Sequence, residues 1–350
     1  MPISRPSRRG RFLAALATFS LLACNDPTPP FGPANSAPDG APPAYTARTR
    51  LTIDGPHFRL NGSLTYPGRP PEGMLLNVRM VNSVFEDDGR PEFDPESNTT
   101  EFLGKMPEYV AQGVRAFTIS LQGGYPGYEG ARNSAFQPDG NLKAAYLARV
   151  ARVIERADAL GAVIIFSLFY QRQDQILRSE QAVRAGVIRT VDWVKQRGYR
   201  NIILEIVNEY GHSGFDHAVL RSDAGVADLI RLAQDRHPAL PVSASTRGNA
   251  RTTPQVAAAS DVILVHFNQL SPSEIRTRIH DLRATYRSKP IVGNEDDRTG
   301  SAAVGALTAS IEAGVSYGLM VERVNQRYPF FFHGRADDRV VYDEYRALAY

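Results

Sequence analysis

Asn201-Ile202-Ile203-Leu204-Glu205-Ile206-Val207-Asn208-Glu209-Tyr210 is a short apolar run, rich in β-branched residues, that ends in an amide and a carboxylate. With little polar alternation, it reads as a strand buried on both faces, the habit of a parallel sheet covered by helices. Seven runs of the same kind lie around it, at 74–82, 114–120, 162–169, 240–245, 261–268, 289–294 and 315–322. Amphipathic stretches separate them. Residues 141–160 place Leu142, Tyr146, Val150, Val153, Ile154 and Ala157 close to a 3.6-residue period, with Asp139-Gly140-Asn141 as capping material and Gly161 as the stop. Further helices are predicted over 174–197, 222–236, 271–286, 300–313 and 337–349, with weaker patterns at 99–112 and 252–258. Eight strands alternating with helices, in roughly 280 residues, predict an α/β chain folded as a (β/α)8 TIM barrel. An open doubly wound sheet is the alternative. No glycine-rich phosphate loop follows the first strand, so its nucleotide-binding form has little support. Ahead of the barrel, residues 49–66 hold two strand-like pieces around Asp54-Gly55, which predicts a short N-terminal β-hairpin.

The organisation expected is a leader at 1–23, a tether at 24–48 and a barrel at 49–350. The leader has Arg5, Arg8, Arg9 and Arg11, then an apolar run from Phe12 to Ala23, the layout of a secretory signal peptide. That run is too short to span a bilayer stably. Leu21-Leu22-Ala23-Cys24 resembles a bacterial lipobox, which implies lipidation of Cys24, export, and a membrane-anchored lipoprotein on the periplasmic face or cell surface. Residues 25–47 are rich in Pro, Ala, Gly and Ser and suit an extended tether. With Cys24 the single cysteine, no intramolecular disulfide forms. The formal charge is +3, and setting aside the four leader arginines leaves −1, so the body lacks the basic footprint of a nucleic-acid binder.

In such a barrel, chemistry sits where strands end. The fourth strand ends at Asn208-Glu209 and the seventh at Asn294-Glu295, and strands four and seven face each other across the mouth. Two facing carboxylates suit glycoside cleavage: one gives a proton to the leaving oxygen while the other attacks the anomeric carbon. Asp296 and Asp297 compete with Glu295, because a strand boundary shifts by a residue or two. Glu205 is expected to point into the barrel or pair with an arginine. Glu86, Asp87 and Asp88 read as a solvated acidic loop, with a cation or sugar-hydroxyl site as the alternative. Glu322 ends strand eight and can reach the cleft, and His212 can line the mouth. Trp193, the only tryptophan, reads as outer-layer core. Sugar platforms must then come from Tyr125, Tyr128, Tyr170, Tyr210, Phe267 or Tyr328. The sequence has no Cys/His metal spacing and no nucleophile-elbow motif, so neither metal nor organic cofactor is expected.

Asn208-Glu209 on the fourth strand, with Phe58-Arg59-Leu60-Asn61-Gly62, Val114-Arg115-Ala116-Phe117, Phe136-Gln137-Pro138-Asp139-Gly140 and Ile291-Val292-Gly293-Asn294-Glu295, resembles clan A glycoside hydrolases, in particular the cellulase-like family 5 group. The resemblance covers about residues 55–325 and implies a retaining hydrolase of β-glycosidic bonds in a poly- or oligosaccharide. It makes Glu209 the acid/base and Glu295 the nucleophile. It also implies that Asn208 binds the sugar 2-hydroxyl, that His266 orients substrate or carboxylate, and that Arg115 holds the nucleophile ionised. Tyr170, Tyr210, Asn268 and Glu322 complete the expected substrate-binding set. The chain departs from the family pattern after strand three (Phe169-Tyr170-Gln171), on strand six (His266-Phe267-Asn268) and on strand eight, where Leu319-Met320-Val321-Glu322 replaces a tryptophan platform. A surface-anchored, non-catalytic glycan-binding barrel is the alternative.

Overall fold

The computed structural model describes residues 45–123, 130–268 and 270–350. Cys24, the leader, the tether up to residue 44, and the candidate platforms Tyr125 and Tyr128 lie outside the described residues. Every element below belongs to the unit Ala44–Tyr350. Within the described residues no helix is long and apolar enough to cross a membrane.

Three short antiparallel strands come first: β1 (Leu51–Asp54), β2 (His57–Leu60) and β3 (Ser63–Leu64). The predicted hairpin thus gains a third strand, because Asn61-Gly62 makes a second tight turn with both residues at positive φ (52° and 88°). This sheet seals one end of the barrel. Leu51 and Phe58 pack with Leu75, Ala116, Val163, Ile165, Ile203, Val262, Leu264 and Val292, side chains from near the starts of the barrel strands. Burying each large apolar side chain contributes about 1.5–3 kcal/mol.

The eight barrel strands are β4 (Asn77–Arg79), β5 (Ala116–Ser120), β6 (Val163–Phe169), β7 (Ile202–Val207), β8 (Val242–Ser243), β9 (Ile263–His266), β10 (Ile291–Glu295) and β11 (Gly318–Leu319). Six run parallel in the order β11-β4-β5-β6-β7-β8, and β9 pairs with β10. Parallel bridges Ser245–Leu264 and Val292–Ser316 join the two groups into a closed ring. The chain is therefore a (β/α)8 barrel, and the doubly wound alternative falls away.

Around it stand α1 (Pro95–Ala111), α2 (Ala144–Ala159), α3 (Glu180–Arg197), α4 (Ala218–Arg221), α5 (Asp223–Arg236), α6 (Pro254–Ala259), α7 (Pro272–Thr285), α8 (Gly300–Glu312) and α9 (Arg339–Ala349). Their starts follow local chemistry. Asp94 accepts from the Glu96 and Ser97 amides ahead of α1, and Ser271 with Glu274 closes a capping box on α7. The weak patterns at 99–112 and 252–258 are the helices α1 and α6. The capping material Asp139-Gly140-Asn141 does not cap α2: Asp139 accepts from the Asn141 amide (3.0 Å) in a turn of its own, and the helix begins at Ala144.

Candidate active site

β7 runs straight to Val207, and the chain then turns sharply. Glu209 adopts φ 52°, a left-handed conformation that costs a non-glycine residue about 1–3 kcal/mol. Ser245, just past β8, holds the turn: its hydroxyl accepts from the Glu209 amide (3.1 Å) and its carbonyl from the Tyr210 amide (3.2 Å). Gln171, past β6, donates to Glu209 Oε2 (3.3 Å) and accepts from Asn208 Nδ2 (3.1 Å). Strands three, four and five together fix the Asn208-Glu209 pair.

Across the mouth, Glu295 ends β10. Its Oε2 lies 2.8 Å from Arg79 Nε, and its Oε1 accepts from Asn268 Nδ2 (2.8 Å). Arg79 ends β4, is almost wholly buried, and also donates to Asn208 Oδ1 (2.7 Å). One guanidinium on strand one therefore bridges strands four and seven. His266, fully buried at the end of β9, stands between the two carboxylates: its Nδ1 is 3.3 Å from Glu209 Oε1 and 3.6 Å from Glu295 Oε2. One oxygen of each carboxylate and a ring nitrogen of His266 all lie within 4.8 Å of one another.

The charges have clear directions. Burial pushes the Glu209 carboxyl up, but the His266 hydrogen bond and the His266 and Arg79 charges outweigh it and hold Glu209 below its ordinary value. Burial pulls His266 down, yet Glu295 and Glu209 bring it above the usual imidazole value. The shared proton of this pair thus favours His266 in the unliganded site. Three such ligand atoms invite a metal, but Arg79 already places a buried positive charge against Glu295, and a dication would have to sit beside it. The 3.3 Å contact between His266 and Glu209 is close enough for a proton to be shared between them.

Other sequence candidates fall elsewhere. Arg115 is at the opposite end of its strand from the carboxylates: it precedes β5 and donates to Val110 O, Val114 O and the Tyr350 hydroxyl. The arginine on the nucleophile candidate is Arg79. Asp296 is committed to Arg298 (2.6 Å) and the Tyr317 hydroxyl (3.0 Å), and Asp297 lines a separate cavity with Glu322, which leaves Glu295 as the carboxylate of that stretch facing Glu209. Glu205 points into the barrel, where Asn294 donates to it (3.2 Å) and its charge acts on Arg79. Tyr170 is buried against the Arg79–Glu295 pair, and burial pushes its phenol up. Tyr210 packs away from the cleft, its hydroxyl bonded to Thr253. Glu322 is engaged by Arg327 (2.6 Å). Phe267 is fully buried in the barrel, Tyr328 lies under Arg90 in a cluster with Phe93 and Phe330, and Trp193 packs on Phe166 and Tyr199. The Glu86–Asp88 loop is not a free acidic cluster: Lys143 pairs with Glu86 (2.8 Å) and Asp88 (3.0 Å), Arg149 pairs with Glu86, and Asp87 accepts from the Gly89 and Arg132 amides.

Arg79, Gln171 and Ser245 are the site residues that sequence reasoning did not single out. For Arg79 there was a signal: a lone cation inside the apolar run 74–82 has to find a buried partner.

No protein-family model and no curated protein sequence matches the chain. Solved structures do match by shape. A family 5 glycoside hydrolase from Prevotella bryantii, in complex with a xyloglucan tetradecasaccharide, is similar with TM-score 0.59 and 10% identity, over 85% of this chain and 100% of that one. A broad-specificity endoglucanase from Clostridium longisporum gives 0.56 and 11%, over 79% and 97%. A β-mannanase from the blue mussel Mytilus edulis gives 0.54 and 13%, over 78% and 91%. At these identities the likeness shows the fold alone, a (β/α)8 barrel.

Proposed function

We propose that this protein is a retaining β-glycosidase in which Glu295 attacks the anomeric carbon and Glu209 serves as acid and then base. The observation that carries the reading is the 4.8 Å cluster of Glu209, His266 and Glu295, with Arg79 pinned to the last. Retaining enzymes hold their carboxyl groups about 5–5.5 Å apart, close enough for the nearest oxygens to share such a cluster, whereas inverting ones need about 6.5–9.5 Å to admit a water. Arg79 and Asn268 hold both oxygens of Glu295 in place for attack. A sugar in the cleft displaces water, which disfavours the charged form of Glu209 and draws the proton across the 3.3 Å His266 contact onto it. Glu209 then protonates the leaving oxygen. Formation of the glycosyl ester removes the negative charge on Glu295, which keeps Glu209 ionised after it has given its proton; as a base it then takes a proton from the water that attacks the anomeric carbon, and the ester bond breaks to restore the Glu295 carboxylate. The structural neighbours make a β-linked glucan or mannan the first substrates to try. Export and anchoring through a lipid on Cys24 belong to the same reading, supported by the sequence pattern at 1–24.

The test is a screen of aryl β-glycosides and β-linked polysaccharides, with the anomer first released identified by NMR. The product should have retained configuration. Glu295→Ala should lose several orders of magnitude in turnover, and azide should restore part of it as the α-glycosyl azide. Glu209→Gln should slow the glycosylation step most for poor leaving groups. An inverted product, or full activity in Glu295→Ala, refutes the mechanism.

A further inference from the structure

Strand β10 delivers two consecutive side chains into the barrel, where a regular strand delivers alternate ones. Val292 points inward, packed with Leu75 and Leu264, and the Cβ position of Gly293 points outward onto the Phe267 ring. Strict alternation would return Asn294 to the interior and send Glu295 out. The register shifts here: Gly293 pairs with Val265 and Glu295 with His266, so two steps along β10 match one along β9. Asn294 is the extra residue of a β-bulge, and the bulge turns Glu295 inward against Arg79. The backbone on either side is held: Asn77 Nδ2 donates to Gly293 O (3.1 Å), and the Phe267 amide donates to Glu295 O (2.8 Å). The bulged residue is held by its side chain. Asn294 Nδ2 donates to Glu205 Oε1 (3.2 Å), while Asn294 Oδ1 has no partner. Glu205 is fully buried on β7, and its neighbours in register do not engage it: Ser243 donates to Val262 O, and Ser167 Oγ has no partner. Among the described residues Asn294 is thus the only hydrogen-bond donor to this carboxylate. Its counter-charge is Arg79, whose buried guanidinium is stabilised most by Glu295 and next by Glu205. The tie crosses the barrel from the fourth strand to the seventh, directly below the catalytic pair: Glu209 follows Glu205 on one strand, and Glu295 follows Asn294 on the other.

We propose that Glu205 is a positioning residue for the reaction: it fixes the bulged Asn294 from across the barrel and so keeps Glu295 turned toward the anomeric carbon. This rests on the assignment of Glu295 as the nucleophile. With Asn294 released, the end of β10 can slip by one residue, and a one-residue slip sends a side chain to the opposite face of its strand. Glu295 would then leave both Arg79 and His266. A carboxylate suits the task because Arg79 supplies its counter-charge, so the same guanidinium that pairs with Glu295 also keeps the anchor of its bulge ionised in the interior.

Three variants separate the tie from the charge. Glu205→Gln keeps an oxygen for Asn294 Nδ2 and removes the charge, Glu205→Leu removes both, and Asn294→Ala removes the donor. The first readout needs no substrate: the His266 ring, titrated by NMR and assigned by its loss in His266→Asn. Glu295, 3.6 Å away, is the largest charge raising it, joined by Glu209 at 3.3 Å and opposed by burial and Arg79. Of the other titratable groups nearby, Asp296 is engaged by Arg298 and Tyr317, and Tyr170 lies against the Arg79–Glu295 pair. In Glu205→Leu and Asn294→Ala the ring should lose its proton about one pH unit earlier, a ten-fold fall in proton affinity, and in Glu205→Gln by much less. The second readout uses para-nitrophenyl β-glycosides of glucose, mannose, xylose and galactose. Glu205→Leu and Asn294→Ala should each lower kcat/KM roughly 100-fold, as a small misplacement of a reacting group does, with the inhibition constant of the matching uncleaved 1-thio-β-glycoside unchanged. The double variant should lose no more than the larger single loss, because both changes cut one tie. Equal effects of Glu205→Gln and Glu205→Leu, additive losses in the double variant, or a lowered Tm with both readouts unmoved overturn the proposal while leaving the hydrolase reading intact. If Glu205→Leu does not fold, Asn294→Ala decides, and an unmoved His266 titration there overturns the proposal. If the unaltered chain cleaves none of the four glycosides, the hydrolase reading is in question, and the His266 titrations still decide whether Glu205 positions Glu295.

Discussion

Replacing Arg79 by methionine keeps most of the side-chain volume and removes the guanidinium that joins three strands. In the folded chain this takes from Glu295 its 2.8 Å partner, leaving Asn268 on Oε1 and His266 3.6 Å from Oε2, and leaves Asn208 Oδ1 without its donor. The Arg79 and Glu295 side chains are 1% and 9% exposed, so water does little to compensate. A charge pair about 4 Å apart is worth about 4 kcal/mol at an effective dielectric of about 20. Breaking one buried pair by removing a single partner costs about 3–5 kcal/mol. For a domain of this size that lowers Tm by roughly 5–8 °C in thermal unfolding followed by circular dichroism. The double variant Arg79→Met/Glu295→Gln has no stranded carboxylate at position 295 and should recover about half of the loss. Arg115→Met, by contrast, removes bonds to two carbonyls and a phenol from a half-buried side chain and should cost about 1 kcal/mol or less. Strict additivity of Arg79→Met and Glu295→Gln, or a larger loss from Arg115→Met, would refute the placing of the buried ion pair at Arg79.

The proton shared by His266 and Glu209 gives a pH signature. The raised His266 value contributes stability that is full below about 6.5, the ordinary value, and is lost as pH rises through the folded one. The depressed Glu209 value contributes above about 4.3 and is lost as pH falls through its folded value. The Tm difference between the unaltered chain and His266→Asn should therefore be largest between roughly pH 4.5 and 6.5 and decline above, and a flat difference counts against the pair. Gly293→Ala would put a Cβ 2.1 Å from the buried Phe267 ring and should cost about 1–3 kcal/mol in urea unfolding, whereas Gly104→Ala on α1 meets nothing within 4 Å and should stabilise by about 0.5–1 kcal/mol. Cys24→Ser should move the protein from membrane pellets to the soluble fraction, and an unaltered chain already soluble after export would end the anchor proposal.

Much of the scaffold was legible because each part of it is local. A strand buried on both faces has its own composition, and a helix outside it has its own period, so eight alternations in order were enough for the barrel. Glu209 and Glu295 could be named because each ends such a run, and chain direction alone sends both to the same mouth. The hairpin's third strand was also local, written in Asn61-Gly62. The partners of the carboxylates were not local. Gln171, Ser245 and His266 reach Glu209 from 38, 36 and 57 residues away. Arg79 meets Glu295 from the first strand to the seventh, a juxtaposition created only when the ring closes. The same closure left Arg115 at the other end, since a residue before a strand and one at its end stand on opposite faces of a parallel barrel. The sequence by itself determined which residues end strands. Closure of the barrel decided which side chains meet and which charges cancel, because those are properties of loops brought together from strands far apart in the chain.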